Sequence, residues 1–219
     1  FTCEMKLDSR QAEFFIYRVK FPSPLQTEAK TNNTVYGRYY WPTDLRPDAE
    51  KRPAVVCLHI LGGGFTLVEL LCSTLASRGI PAIWIELPYY GERRPADGFG
   101  SLYTNPALFT DALSQAILDV RRTADVLQAL PGVNPERLGI SGISLGGILT
   151  STAANEDPRF YRVCPILGGG NLQRMIGYAK ETSKMRATMD RLPPEELRKL
   201  EEALRKVDPL TKAENLKER

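Results

Sequence analysis

Charge of one sign is missing from this chain of 219 residues: 29 basic side chains face 26 acidic ones, for a formal charge of +3. So even a balance excludes the basic footprint of a nucleic-acid or anionic-membrane binder. Long apolar runs are missing too, since none reaches the ~18 residues of a transmembrane helix. Cysteine is sparse, and Cys3, Cys57, Cys72 and Cys164 fall at no metal-ligand spacing. They read as free or core thiols, with no metal site, and a reducing cytoplasm is favoured. There are no internal repeats and no low-complexity tracts. Histidine occurs once, as His59. The first residue is Phe1 rather than Met, which is expected of a processed protein, a trimmed chain or a fragment.

What is present is an ordinary globular composition, 42% hydrophobic, with enough length for one domain and a sizeable core. Residues 12–21 and 34–41 are rich in aromatic and β-branched residues and predict an antiparallel opening pair. Residues 53–59 form a continuous apolar run, as expected of a central strand covered on both faces. Helical spacing follows at Leu67, Leu70, Leu71 and Leu75, ending at Gly79. Residues 80–87 predict the next strand, and residues 88–105 a long loop without periodicity, of the kind often found beside a site. A long helix is expected over residues 106–130, with Phe109, Leu113, Ala116, Val120, Ala124 and Leu127 on its apolar stripe and Asp119 off it. Residues 137–141 and 160–167 predict a fifth and a sixth strand, and 172–190 and 194–207 two charged helical stretches.

Between the fifth strand and the small-residue helix after it lies Gly142-Ile143-Ser144-Leu145-Gly146, a G-x-S-x-G pattern. At average glycine and serine usage the bare pattern arises by chance in roughly one chain of this size in fifteen. Its position between strand and helix adds what the pattern lacks. A turn this sharp strains its central residue and leaves no room for a Cβ two residues to either side. It also lifts the Ser144 hydroxyl above the sheet and aims the Leu145 N–H at a developing oxyanion. Upstream, the strand at 53–59 opens into Ile60-Leu61-Gly62-Gly63-Gly64. With no Lys-Ser/Thr ending and no G-x-G-x-x-G spacing, these glycines do not read as a phosphate loop.

Together the two stretches resemble the α/β-hydrolase superfamily, over a span from about Tyr36 to the end. Pro53-Ala-Val-Val56 and the Pro131–Leu138 lead-in are most similar to its dienelactone-hydrolase and acetyl-xylan-esterase-like branch. The resemblance implies an α/β fold, a three-layer sandwich whose mostly parallel sheet carries helices on both faces. It implies one domain over residues 1–219, with 172–207 as a helical cap inserted after the sixth strand. It also implies a serine nucleophile at Ser144, an oxyanion hole made by Leu145 together with Leu61 or Gly62, and no cofactor. Tyr89 and Tyr90 are candidates to line the pocket for a small-molecule ester.

A serine hydroxyl needs a base within reach and an acid to orient that base. The family order is Ser, then Asp or Glu, then His, yet no histidine follows Ser144, and Asn171 stands where some relatives carry an alternative acid. His59 matches the family's oxyanion-loop histidine, a shaping rather than a basic role. Glu86 is expected to fix the loop that follows it, and Arg93 and Arg94 to be solvated. The chain therefore reads as a truncated or split serine esterase, its acid and histidine supplied by a second polypeptide or a C-terminal segment that would cover an otherwise exposed sixth strand. Two alternatives stay open: an inactive or split scaffold acting as a binding module, and a peptidase or acyltransferase on the same fold.

Overall fold

The computed structural model describes residues 1–46, 50–96, 102 and 104–216. Residues 97–101 and 103, part of the expected long loop, and 217–219 lie outside the described residues.

A seven-stranded mixed sheet runs in the order β1-β2-β3-β5-β4-β6-β7. Its strands are β1 (Glu4–Arg10), β2 (Phe14–Pro22), β3 (Thr34–Pro42), β4 (Arg52–Leu58), β5 (Ala82–Ile85), β6 (Val133–Ile143) and β7 (Phe160–Ile166). β1, β2, β3 and β5 pair antiparallel, while β5, β4, β6 and β7 pair parallel. Six strands were expected. β1 is the addition, and its strictly alternating half-buried and exposed residues carry no apolar run to announce it.

Period-two alternation in the central strands divides the core between two faces. Cys57, Trp84 and Tyr40 meet Val68, Cys72 and Ala76 of helix α1 (Thr66–Ala76) on one side. Val56, Leu58, Ile83, Ile85 and Tyr39 join the main cluster under α2 (Pro106–Ala129) and α3 (Leu145–Glu156) on the other. The buried stripe of α1 is therefore Val68-Cys72-Ala76, and Leu67 and Leu70 of the expected stripe are exposed. Asn105 caps α2 by accepting the Leu108 N–H, and Pro106 fits its first turn.

After β7 the chain makes an excursion of three short helices, α4 (Leu172–Tyr178), α5 (Ser183–Met189) and α6 (Pro194–Lys206), where two longer stretches were expected. Ile176, Met185, Met189, Leu200 and Leu204 bury into the main core. Both ends are tied together by Asp208, whose carboxylate accepts the backbone N–H groups of Asn171, Leu172 and Leu210. The Thr152 hydroxyl and the Asn155 amide, both on α3, hold the carbonyls of Val207 and Pro209.

β7 is an edge strand. Tyr161 is 48% exposed, and Leu167 just past the strand 83%. Among the described residues no helix is long and apolar enough to cross a membrane.

Candidate active site

The carboxyl ends of β4, β6 and β7 lie in register, with Leu58 beside Gly142 and Gly142 beside Pro165. In an open α/β sheet this edge is where ligands bind. β6 ends at Ile143, α3 begins at Leu145, and Ser144 alone makes the turn at φ 55° and ψ −111°. That is a left-handed conformation rarely adopted by a residue with a Cβ, stored here at a cost of about 1–3 kcal/mol. The turn is held from below: the Ser144 N–H donates to the Ile166 carbonyl, and its carbonyl accepts from Ile148. Ser144 itself is exposed. The flanking glycines are required by close approach, because an added Cβ on Gly142 would lie 2.3 Å from the Gly146 oxygen, and one on Gly146 2.3 Å from the Leu58 oxygen. Strand, turn and helix thus nest at backbone contact.

Across from Ser144 stands the loop that follows β4. His59 at its base is fully buried, and the Leu87 N–H donates to its Nε2 at 3.1 Å. The proton must then sit on Nδ1, which donates to the Ile60 carbonyl at 2.8 Å. Burial depresses its pKa to about 4, outweighing the Ile60 hydrogen bond that pulls the other way. Phe65 and Tyr90 pack edge-on against the ring, with centroids 5.0 and 4.6 Å away. Both ring nitrogens are consumed by backbone, so His59 offers Ser144 no base.

His59 also orients the loop. Among the described residues no peptide bond is cis, so in the Ile60–Leu61 unit carbonyl and N–H point to opposite sides. With the Ile60 oxygen drawn down to the imidazole, the Leu61 N–H is turned away from the core. Leu61 and Gly63 are half-buried, and Gly62, at φ 92°, is exposed.

The segment after β5 is held as firmly. Glu86 accepts the Glu92 N–H at 2.7 Å, and burial pushes its carboxyl upward. Arg93, expected in solvent, is fully buried: it pairs with Asp119 of α2 at 2.8 Å and donates to the carbonyls of Glu86 and Asn32. Asp119, expected off the apolar stripe, is equally buried. Burial pushes its carboxyl up, opposed first by Arg93 and then by Ser23. A guanidinium can leave water only where several acceptors are supplied, and Asn32, Asp119 and the Glu86 carbonyl come from distant parts of the chain. No local sequence signal announces such a set.

Tyr89, at φ 71°, has its N–H held by the Asn32 side chain. Tyr89 and Tyr90 are both buried, and Tyr90 lines a narrow apolar crevice of about 10 Å³ with Leu87, Pro88, Phe109, Leu113 and Leu145. Leu145 follows Ser144 directly, so this crevice reaches the foot of the turn.

The profile of the family described as alpha/beta hydrolase domain containing 18 matches residues 3–215. No curated protein matches the chain in sequence. Among solved structures, the chain is similar to the acetyl xylan esterase from Paenibacillus sp. R4, with 21% identity, a TM-score of 0.75, and coverage of 96% of this chain and 69% of that one. It is also similar to acetyl xylan esterase 1 from Thermoanaerobacterium sp. JW/SL YS485, with 16% identity, a TM-score of 0.69, and coverage of 94% and 68%. A structure provisionally described as a dienelactone hydrolase from Klebsiella pneumoniae subsp. pneumoniae is 22% identical, with a TM-score of 0.53 and coverage of 70% and 60%. At these identities the likeness is one of fold.

Proposed function

Because the chain belongs to the family of alpha/beta hydrolase domain containing 18, we propose that it acts as a serine hydrolase cleaving carboxylic esters through an acyl-enzyme on Ser144. The observation that carries this reading is the turn itself: an exposed serine held at φ 55° between β6 and α3, at the carboxyl edge of the sheet. A glycine would take this conformation without strain, yet a serine stands there, and strain of this kind gathers at functional sites.

In the proposed reaction the Ser144 Oγ attacks the ester carbonyl carbon and its proton passes to a base. The carbonyl oxygen becomes an oxyanion, the alcohol leaves with that proton, and water then hydrolyses the acyl-serine. The Leu145 N–H, at the start of α3, is one oxyanion donor. For the second, the orientation of the Ile60–Leu61 peptide favours the Leu61 N–H, with Gly62 beside it supplying the freedom to turn. Tyr90 walls the crevice behind Leu145, and the excursion over 172–207 is proposed as the cap of the site.

The base cannot be His59, since both its ring nitrogens are engaged and its pKa is about 4. On this reading the base and its acid come from a further segment or a second polypeptide, for which the exposed end of β7 at Leu167 leaves room. Fluorophosphonate labelling of the full-length protein tests the assignment. Ser144→Ala is expected to abolish the label, and labelling that survives the substitution would remove Ser144 from the role. Residues 1–219 alone are expected to give no burst with p-nitrophenyl acetate. Sustained absence of label in the full-length protein would favour the binding-scaffold reading instead.

A further inference from the structure

The ion pair between Arg93 and Asp119 is fully buried, and the proposed chemistry gives it no step to perform. Taking two charges out of water is a poor route to stability, and apolar side chains of similar volume would join the loop to α2 equally well. What an apolar pair would not supply is direction. Arg93 Nη1 donates to the Glu86 carbonyl and Nη2 to the Asn32 carbonyl, both at 2.8 Å. Asp119 is aimed in turn: its Oδ1 accepts the Ser23 hydroxyl at 2.6 Å, and Gln115 of α2 donates to Ser23 Oγ and to the Asn32 carbonyl. Asn32, fixed in this way, holds the Tyr89 N–H.

The residues clamped by this network, Glu86 to Arg93, contain the group that sets the His59 ring. The Leu87 N–H belongs to the same planar peptide group as the Glu86 carbonyl that Arg93 grips, and the Tyr90 N–H closes the turn onto the Leu87 carbonyl. A Leu87 N–H held in place leaves only one tautomer for His59, and that tautomer holds the Ile60 carbonyl.

We propose that Arg93 and Asp119 are positioning residues for the oxyanion loop, locking the segment after β5 so that Leu87 fixes the imidazole of His59 and, through it, the outward Leu61 N–H. This rests on the serine-hydrolase reading for its consequence in catalysis, but not for its structural half.

The two halves can be tested separately, because His59 is the only imidazole in the chain. A two-bond ¹H–¹⁵N spectrum of the wild-type chain is expected to show a single ring protonated at Nδ1. In Asp119→Asn the ring is expected to populate the other tautomer, and fluorophosphonate labelling of Ser144 in the full-length protein to slow by at least ~10-fold. Ser23→Ala, which removes one brace of Asp119 and leaves the pair, is expected to do the same to a smaller degree. It carries the test if Asp119→Asn does not fold. A variant that melts earlier while its His59 tautomer stays as in wild type would overturn the proposal, since a purely structural pair would behave so. A tautomer change without slower labelling would break the link to the oxyanion loop. If wild type takes no label, the hydrolase reading fails while the spectrum still decides whether the pair sets His59.

Discussion

The two flanks of the candidate site are built on opposite terms. On the β4–β5 flank the turns are held by buried side chains: His59 spends both ring nitrogens on backbone, Glu86 caps the turn at Glu92, and Arg93 is buried among three acceptors. On the β6–β7 flank an exposed serine sits in a strained conformation beside an edge strand whose last neighbours are open to solvent. Oxyanion donors must be rigid before the reaction starts, because their value lies in needing no reorganisation. A nucleophile must stand clear and be reached. On the serine-hydrolase reading proposed above, the contrast is one of task, with preorganisation on one side and access on the other.

That comparison breaks most sharply at the seam where the flanks touch. Gly146 packs its backbone on the carbonyls of Leu58 and His59, so Gly146→Ala would force a Cβ to within 2.3 and 2.8 Å of two backbone oxygens. The Leu58 oxygen cannot move without disturbing the end of the β4–β6 pairing, where Leu58 lies beside Gly142. A loss of about 4 kcal/mol or more is expected, at the exceptional end for one methyl group. Gly64→Ala, in the loop after β4 and with its nearest contact an ordinary 3.7 Å to Ile60, is expected to stay within about 0.5 kcal/mol. Urea midpoints of the two variants at unchanged m-value are the measurement. Equal losses would mean that the seam is looser than its distances imply.

Acid is expected to attack the satisfied flank next. His59 titrates at about 4 in the fold and near 6.5 unfolded, so between those values the unfolded chain holds the extra proton. Stability contributed by the neutral ring is fully present above pH 6.5 and is lost as pH falls toward 4, by about 3 kcal/mol in all. Glu86 and Asp119, both pushed upward by burial, act in the opposite sense in acid, since the native state takes their protons first. The His59 share is isolated as the pH-dependent part of the difference between wild type and His59→Gln, measured by urea denaturation from pH 7 to 4. A flat difference would show that the imidazole titrates freely and is not the fixed support inferred here.

The same division marks what could be read from the sequence. Ser144 and its glycines were legible because a strand-to-helix turn dictates residue types at fixed local spacing, and the central strands were legible because burial on both faces writes a continuous apolar run. The satisfied flank was legible only in part: the resemblance supplied His59 as the shaper of its loop and Glu86 as the brace of the next one, but not the polar network behind them. Arg93, Asp119, Asn32 and Ser23 are polar residues that look solvent-facing one at a time, and only tertiary structure brings them together. Leu67 and Leu70 misled for a related reason: α1 covers its strands with the smaller Val68, Cys72 and Ala76, so the large side chains at helical spacing lie on the outer face. β1 escaped notice because an edge strand with one solvated face has little hydrophobic signal.

The smallest expected effect bears on the strained flank alone. In most exposed positions alanine is favoured over glycine by about 0.5–1 kcal/mol, because glycine loses more backbone freedom on folding. Position 144 should reverse that order. At φ 55° and ψ −111° an alanine keeps the Cβ that makes the conformation costly, whereas a glycine occupies the mirror image of an ordinary extended residue. If the strain is about 1–3 kcal/mol, subtracting the glycine entropy leaves Ser144→Gly more stable than Ser144→Ala by about 1 kcal/mol. Both variants lack the hydroxyl and neither adds a polar group, so their difference reports backbone strain without interference from lost hydrogen bonds. It is read from urea midpoints of the two proteins side by side. Should alanine prove the more stable, the turn stores no strain, and the observation that singles out Ser144 on this flank would shrink to its exposure alone.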